Sequence, residues 1–193
     1  MAEAAAAEPR PELDAAPERR EVGVIDIGSN SVRLVQFRLE GRALWPVFNE
    51  KTMAGLGRGM SESGRLNPEG VDAAMRTLRR FAALLDARDI SDRRAVATAA
   101  VRDAQDGADF IARVRKETGL QIEVIDGAEE GRLSAIGVLA GVGDAHGIAG
   151  DLGGSSLELT PVSGRRASDA ISLPLGPLAV FDEPPYRIAD AKS

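Results

Sequence analysis

At 193 residues, 44% of them hydrophobic and 28% charged, the chain is long enough to bury a sizeable core and has the composition of an ordinary soluble globular protein. A formal charge of −6 excludes a general affinity for nucleic acid, which needs a basic footprint, so any polyanionic ligand must be held locally by amides, a few arginines and a metal. The absence of cysteine excludes disulfides and thiolate zinc sites, and the lack of a long apolar run or an apolar signal segment makes a membrane partner unexpected and the cytoplasm the default location.

Met1 to Arg20 is built from Ala, Glu, Pro, Arg and Asp without aromatic or β-branched residues, and reads as a disordered tail over residues 1–20. Order is expected from Val22-Gly23-Val24-Ile25-Asp26, an apolar run that ends in a carboxylate and Gly28. Strands follow over Val32–Phe37 and Ala43–Phe48, with Trp45 read as a packing residue, and Ala54 to Gly59 reads as a glycine-rich surface loop. From Pro68 the period changes: Val71, Ala74, Met75, Leu78, Ala82 and Leu85 predict a helix with Asn67 at its N-cap and Pro68 in the first turn. Arg93–Thr98 is a strand and the segment around Phe110 and Val114 a helix capped by Gly119. A strand over Gln121–Ile125, a helix from Gly127 to Leu139, a strand over His146–Asp151 and a hairpin (Leu157–Val162, Ala170–Leu173) complete an α/β chain with a mixed sheet.

Four stretches carry chemistry. In Asp26-Ile27-Gly28-Ser29-Asn30-Ser31 a strand ends in aspartate, followed by glycine and short hydroxyl or amide residues; the backbone can form a phosphate nest, or simply a hairpin turn. Asp151-Leu152-Gly153-Gly154-Ser155-Ser156-Leu157-Glu158 echoes it, and Asp151 and Glu158 offer hard oxygens for Mg²⁺, although Glu158 also suits a solvated strand. In Asp126-Gly127-Ala128-Glu129-Glu130, Glu129 has capping-box spacing from Asp126, which leaves Glu130 either to orient water or to favour the helix dipole. Arg102, after a run of small residues, presents a fork for phosphate oxygens or a salt bridge with Asp103.

Together with Ser172-Leu173-Pro174-Leu175-Gly176, these stretches, in this order and spacing, resemble the exopolyphosphatase/guanosine pentaphosphate phosphohydrolase (Ppx/GppA) family from about Val22 to Leu178. The resemblance implies an actin-like ATPase (ribonuclease H-like) lobe, with a mixed five-stranded sheet flanked by helices, over residues 21–180. It selects Glu130 as the catalytic base. It assigns phosphate binding to Gly28, Ser29, Asn30, Ser31, Arg102, Gly153, Gly154, Ser155 and Ser156, with Asp26 in support. Mg²⁺ is the implied metal, for which Asp151 and Glu158 are the nominees. Departures are Ser155 for a third loop glycine, Leu157 for threonine and Gly131 for alanine.

Family members continue into a second lobe, so residues 181–193 read as a truncated linker towards it, and a half-cleft left open would favour a homodimer. The expected reaction is release of the terminal phosphate of polyphosphate or of a phosphorylated guanosine nucleotide. Rival readings are a polyphosphate- or alarmone-binding lobe without turnover and an actin-like kinase or ATPase.

Overall fold

The computed structural model describes residues 20–41 and 43–180; the spans read as tail and linker, and Tyr186 with them, lie outside the described residues except for Arg20. Three antiparallel strands, β1 (Arg20–Ile27), β2 (Ser31–Glu40) and β3 (Ala43–Met53), open the chain. Helix α1 (Met60–Ser63) and helix α2 (Pro68–Ala87) lead to β4 (Asp92–Ala97), which pairs in parallel with β1. Helices α3 (Ala99–Asp103) and α4 (Gly107–Thr118) then connect to β5 (Ile122–Val124), parallel to β4, giving the mixed five-stranded order β3-β2-β1-β4-β5.

Helix α2 forms where its apolar residues recur at helical spacing. Ala74, Met75, Leu78, Phe81 and Leu85 are buried against Ile25, Ile27, Val32 and Leu34 of the sheet. The start is fixed as the sequence suggests: the Asn67 side chain accepts from the Gly70 amide at 2.9 Å, and Pro68 occupies the first turn. Asn67→Ala is expected to cost about 1 kcal/mol of stability, read by urea denaturation; an unchanged midpoint would show that the cap contributes nothing. Gly119 closes α4 in the left-handed conformation, φ 72°.

The remaining strands form a sheet of their own, separate from the mixed sheet. β6 (Ala145–Leu152), β7 (Leu157–Gly164) and β8 (Arg166–Ala167) are consecutive neighbours, and β9 (Ile171–Leu173) pairs with β7. Helix α5 (Gly127–Gly141) packs on this second sheet through its small face of Gly127, Gly131 and Ala135, above Glu158, Thr160 and Val162 of β7. The departure at Gly131 has a physical reason: a Cβ there would stand 2.6 Å from the Ala170 Cβ and 3.0 Å from the Thr160 hydroxyl. A short helix, α6 (Pro177–Val180), ends the described chain. Among the described residues no helix is long and apolar enough to cross a membrane.

Two expectations are corrected. Trp45 does not pack; it is 57% exposed on the edge strand β3, beside Leu44 and Val47. The Ala54–Gly59 stretch is not a surface loop over its centre: Gly55, Leu56 and Gly57 are buried, because Leu56 joins the main core and Gly57 is wedged against the loop after β1.

Candidate functional site

The two Asp-containing loops are built alike. Each closes an antiparallel hairpin, and in each the first glycine amide donates 2.9 Å to the carbonyl of the serine three residues on, Gly28 to Ser31 and Gly153 to Ser156. Each aspartate stands at the same register step, Asp26 opposite Arg33 and Asp151 opposite Glu158. The hairpins belong to different sheets, yet their tips touch. A Cβ on Gly154 would sit 3.1 Å from the Ser29 Cβ and 3.3 Å from the Asn30 amide nitrogen, so glycine there permits the approach. Gly57 fits between Ser29 and Ser155, and its amide donates to the Ser29 carbonyl at 2.8 Å.

Between the tips lies a cavity of about 380 Å³. It gathers Asp26, Gly28, Ser29, Asn30, Ser31, Glu130, Asp151, Gly153, Gly154 and Ser156, together with Lys51, Thr98 and Pro177. Ser156 also lines a second cavity of about 340 Å³, and it is there that Ser155 and Arg102 open. The Arg102 guanidinium is committed to Asp103, at 2.9 and 3.2 Å, and reaches the Ile125 carbonyl at 3.3 Å. Glu158 lines neither cavity; it is 1% exposed on β7 opposite Asp151, with one carboxylate oxygen accepting from Ser172 at 2.7 Å.

The adjacent glutamates at the start of α5 have opposite environments. Asp126 caps the helix by accepting from the Glu129 amide at 2.8 Å, and the exposed Glu129 carboxylate is held by Arg132, whose hydrogen bonds push its pKa below the ordinary value. Glu130 turns inward. Burial, then the negative charges of Glu158 and Asp151, push its pKa up to about 7, against the opposing pull of Arg102. These outweigh the helix dipole, which by itself would favour the ionised form. One Glu130 oxygen is buried with no hydrogen-bond partner among the described residues. Asp26 is shifted in the same direction by the protein around it and by Asp151, with Arg33 and Lys51 opposing, although its carboxylate still meets solvent.

The acid-rich wall is short of positive charge. Asp151 and Glu158 face each other directly across the β6–β7 ladder, an arrangement that repels unless something intervenes. A Glu158 oxygen is buried and unpartnered, and Ser134 donates to Asp151. Hard carboxylate oxygens in this state fit Mg²⁺. No three acidic side chains among the described residues converge on one point, but Mg²⁺ commonly takes one or two carboxylates and completes its shell with water and phosphate.

Lys51, Thr98, Gly57 and Ser172 escaped the sequence reading as site residues. Lys51 reaches the site only through sheet pairing, two strands from Asp26, so no local pattern marks it. The glycine density around Gly57 was the available signal.

The sequence matches the Ppx/GppA phosphatase family over residues 24–181. Exopolyphosphatase 1 of Mycobacterium tuberculosis is 33% identical over 174 residues, covering 86% of this chain and 51% of that protein. The chain thus spans about half the length of the curated relatives it matches. Among solved structures, an exopolyphosphatase from Cytophaga hutchinsonii superposes with a TM-score of 0.82 at 32% identity, covering 89% of this chain and 57% of that one. The Aquifex aeolicus Ppx/GppA family member gives 0.74 at 30% identity, covering 90% and 58%. The architecture is the actin-like ATPase fold.

Proposed function

Since the chain belongs to the Ppx/GppA phosphatase family, we propose that it takes part in hydrolysing phosphoanhydride bonds, releasing the terminal phosphate of inorganic polyphosphate. The observation that carries this reading is a half-buried carboxylate, Glu130, with its pKa raised to about 7, in the same cavity as two loops of matched build rich in glycine and serine. A base must be largely unprotonated near neutral pH yet still basic enough to draw a proton from water, and a pKa near the working pH satisfies both. Glu130 takes a proton from a water as the water oxygen bonds to the terminal phosphorus. The anhydride P–O bond breaks, and the remaining chain carries away the electron pair on its oxygen.

The Gly28–Ser31 and Gly153–Ser156 loops, through amides and hydroxyls, support the charge that spreads over the transferring phosphoryl oxygens. Arg102 acts from the neighbouring cavity, tempering the acid cluster and, once Asp103 yields, meeting phosphate. Asp151 and Glu158, with Asp26 in support, are the residues that would hold Mg²⁺, which when bound supplies charge neutralisation for the phosphate oxygens. Guanosine pentaphosphate offers the same scissile bond with a different leaving group.

The test is phosphate release from polyphosphate by the 193-residue chain, with and without chelator. Release is expected with Mg²⁺ and is expected to fall to background with EDTA. Binding of polyphosphate without release would favour a non-catalytic lobe.

A further inference from the structure

The cavity between the loops is longer than one phosphoryl group requires. Its lining follows the sheet order, Lys51 on β3, Ser31 on β2, Asp26 on β1 and Thr98 just after β4, and then reaches Glu130 in the first turn of α5. From β3 to β4 is three interstrand spacings, about 14 Å, before the cavity reaches Glu130. The charge along this trough is uneven. Glu130 and Asp151 lie towards one end, and at the other, among the described residues lining the cavity, Lys51 is the one cation. Lys51 forms no salt bridge with a described residue, and Arg33, its register partner on β2, is hydrogen-bonded among the described residues to the neutral Asn49 at 2.9 Å. Asp26, Arg33 and Lys51 form one row across three strands, with their side chains on the same face. The second cavity is the poorer route for a polyanion. Its one cation among the described residues, Arg102, is paired with Asp103, and Met60, Pro174 and Leu178 make much of its wall apolar.

We propose that Lys51, with Arg33 beside it, binds the phosphate chain behind the scissile bond, so that the terminal phosphoryl group lies towards Glu130 and the chain leaves across β1 and β2 to the β3 edge. Lys51 is then a specificity-determining residue that favours polyphosphate over isolated phosphate. A flexible ammonium suits this task, since it meets successive phosphates as a point charge without demanding one bidentate geometry. The inference rests on the polyphosphate reading above, and binding can test it without turnover.

Calorimetric binding of long-chain polyphosphate and of orthophosphate would be compared for the wild-type chain, Lys51→Gln and Lys51→Arg. Losing one charge-assisted contact is expected to weaken polyphosphate binding about 10- to 100-fold while leaving orthophosphate within about twofold. Lys51→Arg is expected to restore most of the affinity. Unchanged polyphosphate affinity in Lys51→Gln, an equal loss for both ligands, or no polyphosphate binding by the wild-type chain overturns the inference. A chain that binds polyphosphate through Lys51 but releases no phosphate sinks the hydrolase reading alone. Turnover with an unaltered KM in Lys51→Gln sinks this one alone.

Discussion

Replacing Glu130 with Gln is expected to lower phosphate release from polyphosphate by about 10²- to 10⁴-fold, the usual contribution of a positioned general base, with little change in polyphosphate affinity. Gln keeps the size of the side chain and its place in the cavity but cannot accept the proton of the attacking water. With a pKa of about 7, the wild-type rate should rise about tenfold per pH unit below neutrality and level off above it. The residual rate of the Gln variant should lack that inflection. Release at the wild-type rate would remove Glu130 from the role of base.

The same substitution makes a second, opposite-looking prediction. Folding raises the Glu130 pKa from 4.5 to about 7, so the folded chain holds this proton more tightly than the unfolded chain does. Any stability linked to the group is therefore present below about 4.5 and is lost as pH rises through the window to about 7. Above that window the wild-type protein carries a poorly solvated charge next to Glu158 and Asp151 that the Gln variant lacks. Thermal melts in chelator should place Glu130→Gln above the wild type at pH 8 and level with it at pH 4. A variant less stable at pH 8 would mean that the carboxylate is compensated by a partner, which would also weaken its case as a base. The combination of lost activity and gained stability is what a strained functional residue produces.

The second large effect is expected at Gly176. A Cβ there would overlap the Gly154 carbonyl oxygen and the Ser155 backbone, neither of which can swing aside as a side chain end would. The Leu178 amide, two residues on, donates to that same Gly154 carbonyl at 2.7 Å, so the segment entering α6 is keyed to the back of the second loop. Gly176→Ala should therefore displace the loop and cost about 1–3 kcal/mol, as overpacking does. A shift of about 1 Å in a positioning element is enough to lower phosphate release about a hundredfold. Denaturation and initial-rate measurements would check the two effects separately. Wild-type values in both would show that the loop has more room than its contacts imply.

What could be read from the chain alone divides along a physical line. Features that depend on near neighbours were legible: the periodic face of α2 and the caps at Asn67, Gly119 and Asp126, whereas helical spacing alone left Glu130 open between a water-orienting role and the helix dipole. The likeness of the two hairpin loops was also visible, and it extends to the hydrogen bond that closes each. Features set by pairing across the sheets were not legible. Nothing near Lys51 says that β3 will carry it to the loop after β1, and nothing in β6 to β9 says that they will form a separate sheet. The burial of Gly55–Gly57 was hidden for a similar reason, since glycine serves a flexible surface turn and a tight internal contact equally well. Trp45 misled because aromatic bulk usually goes inside, a tendency that an edge strand does not enforce.

The hairpin tips that meet at Gly154 and Ser29 are anchored in different sheets. On the proposed reading, a phosphoryl group held by both loops would act as a bolt through two plates. Its grip depends on the angle between the plates as well as on the donors in each loop, so hinge-like rocking of one sheet against the other would loosen the anion without breaking a strand. On that reading product release would need only a small rotation, and the missing side chain at Gly154 is what lets the two tips approach so closely.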